Sequence, residues 1–437
     1  MTYFFITIVI LLLFTTLHAR KDLFEPYKIY IFLYASLLAV YTLHLSRYQK
    51  PWSSTSVIVF GGASFTFIGG CLLVKFLHMI RNPYQISDQF ETNRNHFKND
   101  AESINWNWFT GVFLVCSVIF LFAFLHTVLS VGYIPAFAQN PDSVRLKFLQ
   151  SSIIIGYGWY FGPISLMLAG EIILFGLCSR KQKIFVLIVA ILVFVFYFSL
   201  NMRLDIFRFC LFIAILVHYG KRQFNFKLLL YAASIFVLLF AIALIIRIDS
   251  EALVSLSNTL KLKLPKKYIW IANVYAYIAN NFWNFDYAMR SFVDGNMHYP
   301  TSYGFETFRP FVFLLRLESL IQNTYGFDSP YNESVAMLRG LNSIVYVWHF
   351  YKDFGIFGAL FIPLLAGMFV SRMYYNLITF PNLHILAQWA IIVGIIIFSY
   401  MVPLWSLWPT YFNMLVIWIA HRKITTQSNA LAYCNTV

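Results

Sequence analysis

The sequence predicts an all-α polytopic integral membrane protein of about eleven transmembrane helices, with a large, partly helical external loop late in the chain. Three observations carry that expectation. Of the 437 residues, 60% are hydrophobic and only 11% are charged, and the mean hydropathy is +0.68. A soluble domain carries roughly 25% charged residues, so this chain lacks the polar surface to cover itself in water. Apolar runs long enough to cross ~30 Å of hydrocarbon as helix recur along it. The one long departure, residues 247–352, is dense in Tyr, Trp and Phe, which argues against a disordered loop.

The runs fall at 2–18, 27–45, 56–79, 107–129, 152–178, 184–201, 204–219, 226–246, 353–372, 383–402 and 403–421. The first has no basic residue before it, whereas Arg20 and Lys21 follow. A secretory signal shows the opposite flank, so this run is expected to be a retained span with its N-terminus outside. Arg180-Lys181-Lys183 and Lys221-Arg222-Lys227 are basic clusters two spans apart, and Arg422-Lys423 lies near the C-terminus. Cytoplasmic loops concentrate such residues, which places 247–352 outside; Arg47 and Lys50 fall outside against the trend. The expected organisation is an N-terminal bundle (1–246, about eight spans), the external loop (247–352), and a C-terminal bundle with a short cytoplasmic tail (353–437, about three spans).

The net charge of +14 is spread over loops, without the interleaved basic block that a nucleic-acid site needs. Five cysteines show no CxxC or CxxH spacing, so neither a metal site nor a disulfide framework is implied. No cofactor is expected.

Within the loop, "YIWIANVYAYIANNFWNFDYAMRSF" (268–292) repeats Asn273, Asn280, Asn281 and Asn284 at helical offsets. It reads either as an interfacial aromatic belt or as a surface of rings and amides suited to sugars, with Trp283, Asn284 and Tyr303 as candidate glycan contacts. In "YGFETFRPFVFLLRLESLIQNTYGF" (303–327), Pro310 favours a helix start. Arg309 and Arg316 would share one face, and Leu314, Leu315, Leu317 and Leu320 supply an apolar side. This reads as a half-embedded helix bearing two cations, which could serve a substrate or simply snorkel to lipid phosphates.

Charges elsewhere are sparse. Asp205 lies between Arg203 and Arg208 at a tight turn and can pair with either as a structural clamp. Glu171 sits deep in an apolar run, where a carboxylate is costly. It reads as a protonated packing group, a partner for a base such as Lys75, or part of a proton path. Arg247 closes the run 226–246, with Asp249 and Glu251 near enough to neutralise it.

The stretch "WHFYKDFGIFGALFIPLLAG" (348–367) contains Asp353-Phe354-Gly355, the magnesium-binding triplet of a protein kinase. The kinase catalytic loop, Gly-rich loop and β3 lysine are absent. Gly355, Ala359, Pro363 and Gly367 recur every four residues as a small-residue stripe for close helix packing. Asp353 is expected to cap the helix that follows, leaving His349 at the outer surface facing the loop.

Over roughly residues 150–420 the layout resembles the Wzy-type O-antigen and capsule polymerases. The resemblance is carried by Asn342, Tyr346, Asp353, Gly355 and Gly358 in "LNSIVYVWHFYKDFGIFGALFIPLLAG". The "NMRLDIFRF" turn (201–209) looks like that family's Gly-Arg-Ser-type turn but lacks its Gly and Ser, which weakens transfer of a role to Arg203. Arg145 and Gly156 fit an Arg-x10-Gly spacing seen in some members, a match that the chain's 20 glycines make easy by chance.

The resemblance implies a GT-C-like, O-antigen-ligase-like architecture in a bacterial inner membrane. It implies transfer of a glycan from undecaprenyl diphosphate onto another lipid-linked repeat unit at the outer face. The implied partners are the undecaprenyl-diphosphate-linked oligosaccharide, the bilayer, and a flippase and a chain-length regulator. Such a reaction needs fixed positive charge at the diphosphate, and arginine forks suit phosphate oxygens. Arg203, Arg247, Arg309 and Arg316 are the candidates. His349, Asp353 and Glu306 are candidate catalytic groups for an acceptor hydroxyl. No DxD-like cluster appears in the loop, so no essential metal is expected.

Three rivals stand beside this reading. An O-antigen ligase uses the same donor. A flippase would carry ionisable residues across many spans, whereas Lys75 and Glu171 are few. A GT-C enzyme using a monosaccharide phospholipid usually shows acidic residues in the first external loop, and 46–55 has none.

Overall fold

The computed structural model describes residues 5–8, 22, 24–47, 49–81, 89–134, 158–200, 203–221, 258, 261–263, 269–293, 302–315, 317 and 343–422. Among these the chain is helical and has no β-strand. The helices are α1 (Pro26–Tyr41), α2 (Ser54–Arg81), α3 (Gln89–Ser103), α4 (Trp106–Val131), α5 (Phe161–Phe175), α6 (Arg180–Ser199), α7 (Arg203–Gly220), α8 (Ile269–Val293), α9 (Arg309–Leu314), α10 (Val347–Thr379), α11 (Leu383–Phe398) and α12 (Trp408–Ala420). Four of them, α2, α4, α6 and α10, are long and apolar enough to cross a membrane; α1, α5 and α11 are shorter apolar helices. The expected run 226–246, most of 2–18, and the Arg145–Gly156 spacing lie outside the described residues.

Local chemistry sets the helix ends. Asn105 caps α4 by accepting the Trp108 amide at 3.1 Å, and Gly132, at φ 84°, closes it with its N–H on Val128 O at 2.8 Å. A glycine meets that left-handed requirement without a Cβ penalty. Ser179 and Gln182 form a reciprocal capping box that starts α6.

The chain forms two compact units, neither of them a contiguous stretch. The first comprises Met1–Gln85, Arg247–Asn376 and Ile392–Thr410. In it α8 packs against α1 and α2, and the rings of Tyr34, Phe60 and Phe282 meet at 5.6–6.4 Å. Asp286 of α8 accepts the Ser53 amide at 2.7 Å, just ahead of α2, and holds Arg290 at 2.7 Å.

The stretch expected to be an interfacial belt or sugar platform is therefore a core helix. Trp283 and Asn284 are buried, and Asn284 donates its amide to Ser343 O at 2.9 Å. Neither offers a face to a glycan, because the Trp283 ring is buried and the Asn284 amide is taken by Ser343 O.

In the same unit α2 and α10 touch backbone to backbone. A Cβ at Gly70 would collide with the Leu364 carbonyl, and one at Gly367 with the Phe67 carbonyl. Cys71 Sγ lies 3.5 Å from Gly367 O. The small-residue stripe thus packs at Gly367 and at fully buried Ala359. It does not pack at Gly355, which has open space around it and breaks the helix together with Phe354. The helix begins at Val347, so Asp353 ends a short first segment and does not cap the longer one that follows. Lys75, one candidate partner for Glu171, instead holds Glu25 at 2.8 Å.

The second unit comprises Ile86–Ile246, Leu377–Ile391 and Tyr411–Val437. Ser117 and Ser165 join α4 to α5 at 2.7 Å. The expected clamp at Asp205 is present: it pairs with Arg208 at 2.9 Å and accepts from Tyr197 at 2.7 Å. Glu171 reaches His421 at 2.7 Å. That partner was not evident in the sequence, because 250 positions separate the two.

Candidate functional site

The richest convergence of candidate residues lies in the first unit, where the turn 302–307 meets the first segment of α10. Asp353 is fully buried and accepts four hydrogen bonds. Its Oδ1 takes Ser302 Oγ at 2.5 Å and the Glu306 amide at 3.1 Å. Its Oδ2 takes the Thr307 amide at 2.7 Å and Thr307 Oγ1 at 2.6 Å. The Ser302 amide adds a bond to Lys352 O at 3.2 Å. All four donors to the carboxylate are neutral, and all come from one turn. Asp353 therefore acts as a clasp for the turn.

The clasp has a consequence at its own tip. Tyr303 is held at φ 45° and is 77% exposed, followed by Gly304 at φ 94°. A bulky residue in that region is uncommon and costs about 1–3 kcal/mol, which the surrounding bonds must offset. Tyr303 is thus the candidate glycan contact that the structure leaves accessible.

The turn also delivers Glu306 to α10. Its carboxylate is buried, with one oxygen 3.7 Å from His349 Nδ1 and the other 3.7 Å from Lys352 Nζ. These are ion-pair separations, longer than a hydrogen bond. Burial pushes the Glu306 carboxyl up, but His349, then Lys352 and Arg309, outweigh it and hold it below its usual value. His349 and Lys352 are three apart on α10 and so face the same way. His349 Nε2, on the far side of the ring from Glu306, is buried without a hydrogen-bond partner.

The structure thus brings together His349, Asp353, Glu306 and Arg309 from the candidate set, and adds Lys352, Ser302 and Thr307. Lys352 was visible beside Asp353 but had no assigned role, since only the arrival of Glu306 gives it one. Ser302 and Thr307 carried no signal, because small hydroxyl residues in a turn are common. Arg203 begins α7 in the second unit, with only its backbone described, and Arg247 and Arg316 lie outside the described residues.

A separate polar cavity of about 260 Å³ lies in the second unit, lined by Asp100, Asn382, His384, His421 and Arg422 among others. Among the described residues no group of three His, Cys, Asp or Glu is placed to hold a metal ion. No family model matches the chain, and no curated protein or solved structure matches it.

Proposed function

We propose that the protein is a multi-span polymerase of lipid-linked glycans, working at the outer face of a bacterial inner membrane. In this reading the chain has about eleven spans and a GT-C-like architecture, with undecaprenyl-diphosphate-linked repeat units as donor and acceptor. The observation that supports it best is the pairing of Glu306 with His349 beside Lys352 and Arg309, at the head of a helix of membrane length.

Glu306 faces Nδ1 of His349, which favours the tautomer with its proton there and leaves Nε2 as acceptor. Once the substrate displaces the groups that cover Nε2, an acceptor sugar hydroxyl there loses its proton to the imidazole as its oxygen attacks the anomeric carbon of the donor. The bond from that carbon to the diphosphate oxygen breaks, and the diphosphate leaves with the electron pair. Lys352 and Arg309 supply fixed positive charge where that negative charge develops. Tyr303 offers a ring for a sugar face, and Asp353 holds the turn that carries both Tyr303 and Glu306.

The test is a glycan ladder from cells expressing His349→Gln, Glu306→Gln or Arg309→Ala at wild-type protein levels. Loss of a general base costs about a hundredfold or more in rate, so long chains should vanish while single repeat units persist. A normal ladder in all three variants would remove this reading of the site. Polymer that still forms on the carrier lipid, yet never reaches lipid A core, would point to a ligase.

A further inference from the structure

The segment from Ser302 to Leu317 carries exposed apolar side chains. Phe308, Phe311 and Leu315 are 55%, 55% and 64% exposed. They stand three and four residues apart, which places them on one side of α9 and its flanking turns. The face joins a second one. At Gly304 the rings of Phe354 and Phe308 converge, since a Cβ there would lie 2.9 Å from the first and 3.1 Å from the second. From Phe354 the exposed apolar surface continues along α10 through Ile356, Phe357 and Phe361. The apolar side of a helix of membrane length therefore runs without a break onto the segment.

The backbone is prepared for a medium poor in water. The amides of Phe305, Phe308, Phe311, Val312, Leu315 and Leu317 all donate within the segment. Those of Glu306 and Thr307 donate to Asp353, and that of Ser302 to Lys352 O. Pro310 has no amide to satisfy. Unpaired amides are what exclude irregular backbone from a bilayer, and nine amides among the segment's described residues are paired in this way. Of its charged members, Arg309 acts on the buried carboxylate of Glu306, so the two offset each other within the segment.

From this continuity and this satisfied backbone we infer that residues 302–317 lie in the headgroup boundary of one leaflet, with Phe308, Phe311 and Leu315 set among phospholipid acyl chains. The partner is the bilayer itself. The inference rests on α10 crossing a membrane and is independent of the glycan chemistry. It fixes the depth of the site: the turn with Glu306 and Tyr303 would stand where a lipid phosphate stands, not out in the aqueous phase.

The experiment uses the full chain in vesicles of phosphatidylethanolamine and phosphatidylglycerol. A benzophenone side chain is placed singly at Phe308, Phe311 or Leu315, with Phe361 of α10 as lipid-facing reference and buried Val345 as background. After illumination, mass spectrometry should find phospholipid adducts at the three positions at a level like that at Phe361. Adducts at the Val345 level, with Phe361 still labelled, would overturn the inference and leave the membrane reading standing. A product of doubled mass as the main outcome would also overturn it, in favour of contact between two copies. No adduct at Phe361 either would remove the membrane reading and the inference together. Variants enter the comparison only when they elute as a single species, and three positions provide for the loss of one.

Discussion

Asp353 illustrates how much of a site can depend on which atoms accept. Its four partners are two hydroxyls and two amides, and both amides can only donate. A carboxylate satisfies them because both oxygens accept. Asparagine has nearly the same shape but must turn an NH2 toward the amide of either Glu306 or Thr307. Hydrogen bonds to a charged group contribute about 1.5–3 kcal/mol, and a buried donor left without an acceptor costs about 1–3 kcal/mol. Asp353→Asn should therefore lower stability by about 2–4 kcal/mol and release the strained turn at Tyr303. Thermal aggregation of the detergent-purified protein would read the first effect. An unchanged midpoint would show that the clasp contributes nothing to the fold. A residue that resembled a metal ligand by its triplet, and a helix cap by its place before an apolar run, instead holds the turn that carries Glu306.

At the scale of the element, α10 uses its glycines for two opposite purposes. Gly367 lets α10 approach the backbone of α2 so closely that a Cβ would meet the Phe67 carbonyl. Gly355 sits at φ 61°, ψ −149°, in a region essentially reserved for glycine, with nothing near its missing Cβ. The four-residue period in the sequence announced the stripe but could not separate these roles, since period reports which face a residue occupies and not the backbone angle it must adopt. Gly367→Leu should force the two helices apart and destabilise by about 1–3 kcal/mol through overpacking. It should do so without moving His349 or Lys352, which lie beyond the break at Gly355. Gly355→Ala should instead act through strain of about 1–3 kcal/mol at the joint between the site-bearing segment and the long helix. The pair is separable by measuring stability and glycan output together. Gly367→Leu should lose stability with output per folded molecule retained, while Gly355→Ala should lose output. Equal loss of output per folded molecule in both would refute the division of roles.

Over the whole molecule, sequence showed where helices form and little of how they associate. Apolar length is a local property, and α2, α4, α6 and α10 follow from it directly. Pairing is not local: a helix that is apolar all round gives no preferred face, so nothing in the run 27–45 names its neighbours. The polar atoms within it do, but their partners are remote. Tyr30 OH lies 2.9 Å from Tyr346 OH, 316 positions away, and Tyr34 OH lies 2.9 Å from Ser399 Oγ, 365 positions away. For the same reason α8 read as an interfacial belt or a sugar platform, although Ser53, Tyr34 and Phe60 pack against it.

This remote pairing can be tested by breaking the chain between Arg81 and Gln89. The fragment from Gln89 onward then loses the tyrosine partners of Tyr346 and Ser399, the amide held by Asp286, and the Gly70 surface against which Leu364 lies. In hydrocarbon no hydrophobic force replaces such contacts, and each interhelical hydrogen bond contributes about 1 kcal/mol. That fragment expressed alone should be degraded or aggregate. Co-expressed with residues 1–81, it should be recovered as a stable complex on which a tag on either piece retrieves the other. Equal stability of the fragment with and without its partner would mean that α1 and α2 are peripheral to the first unit.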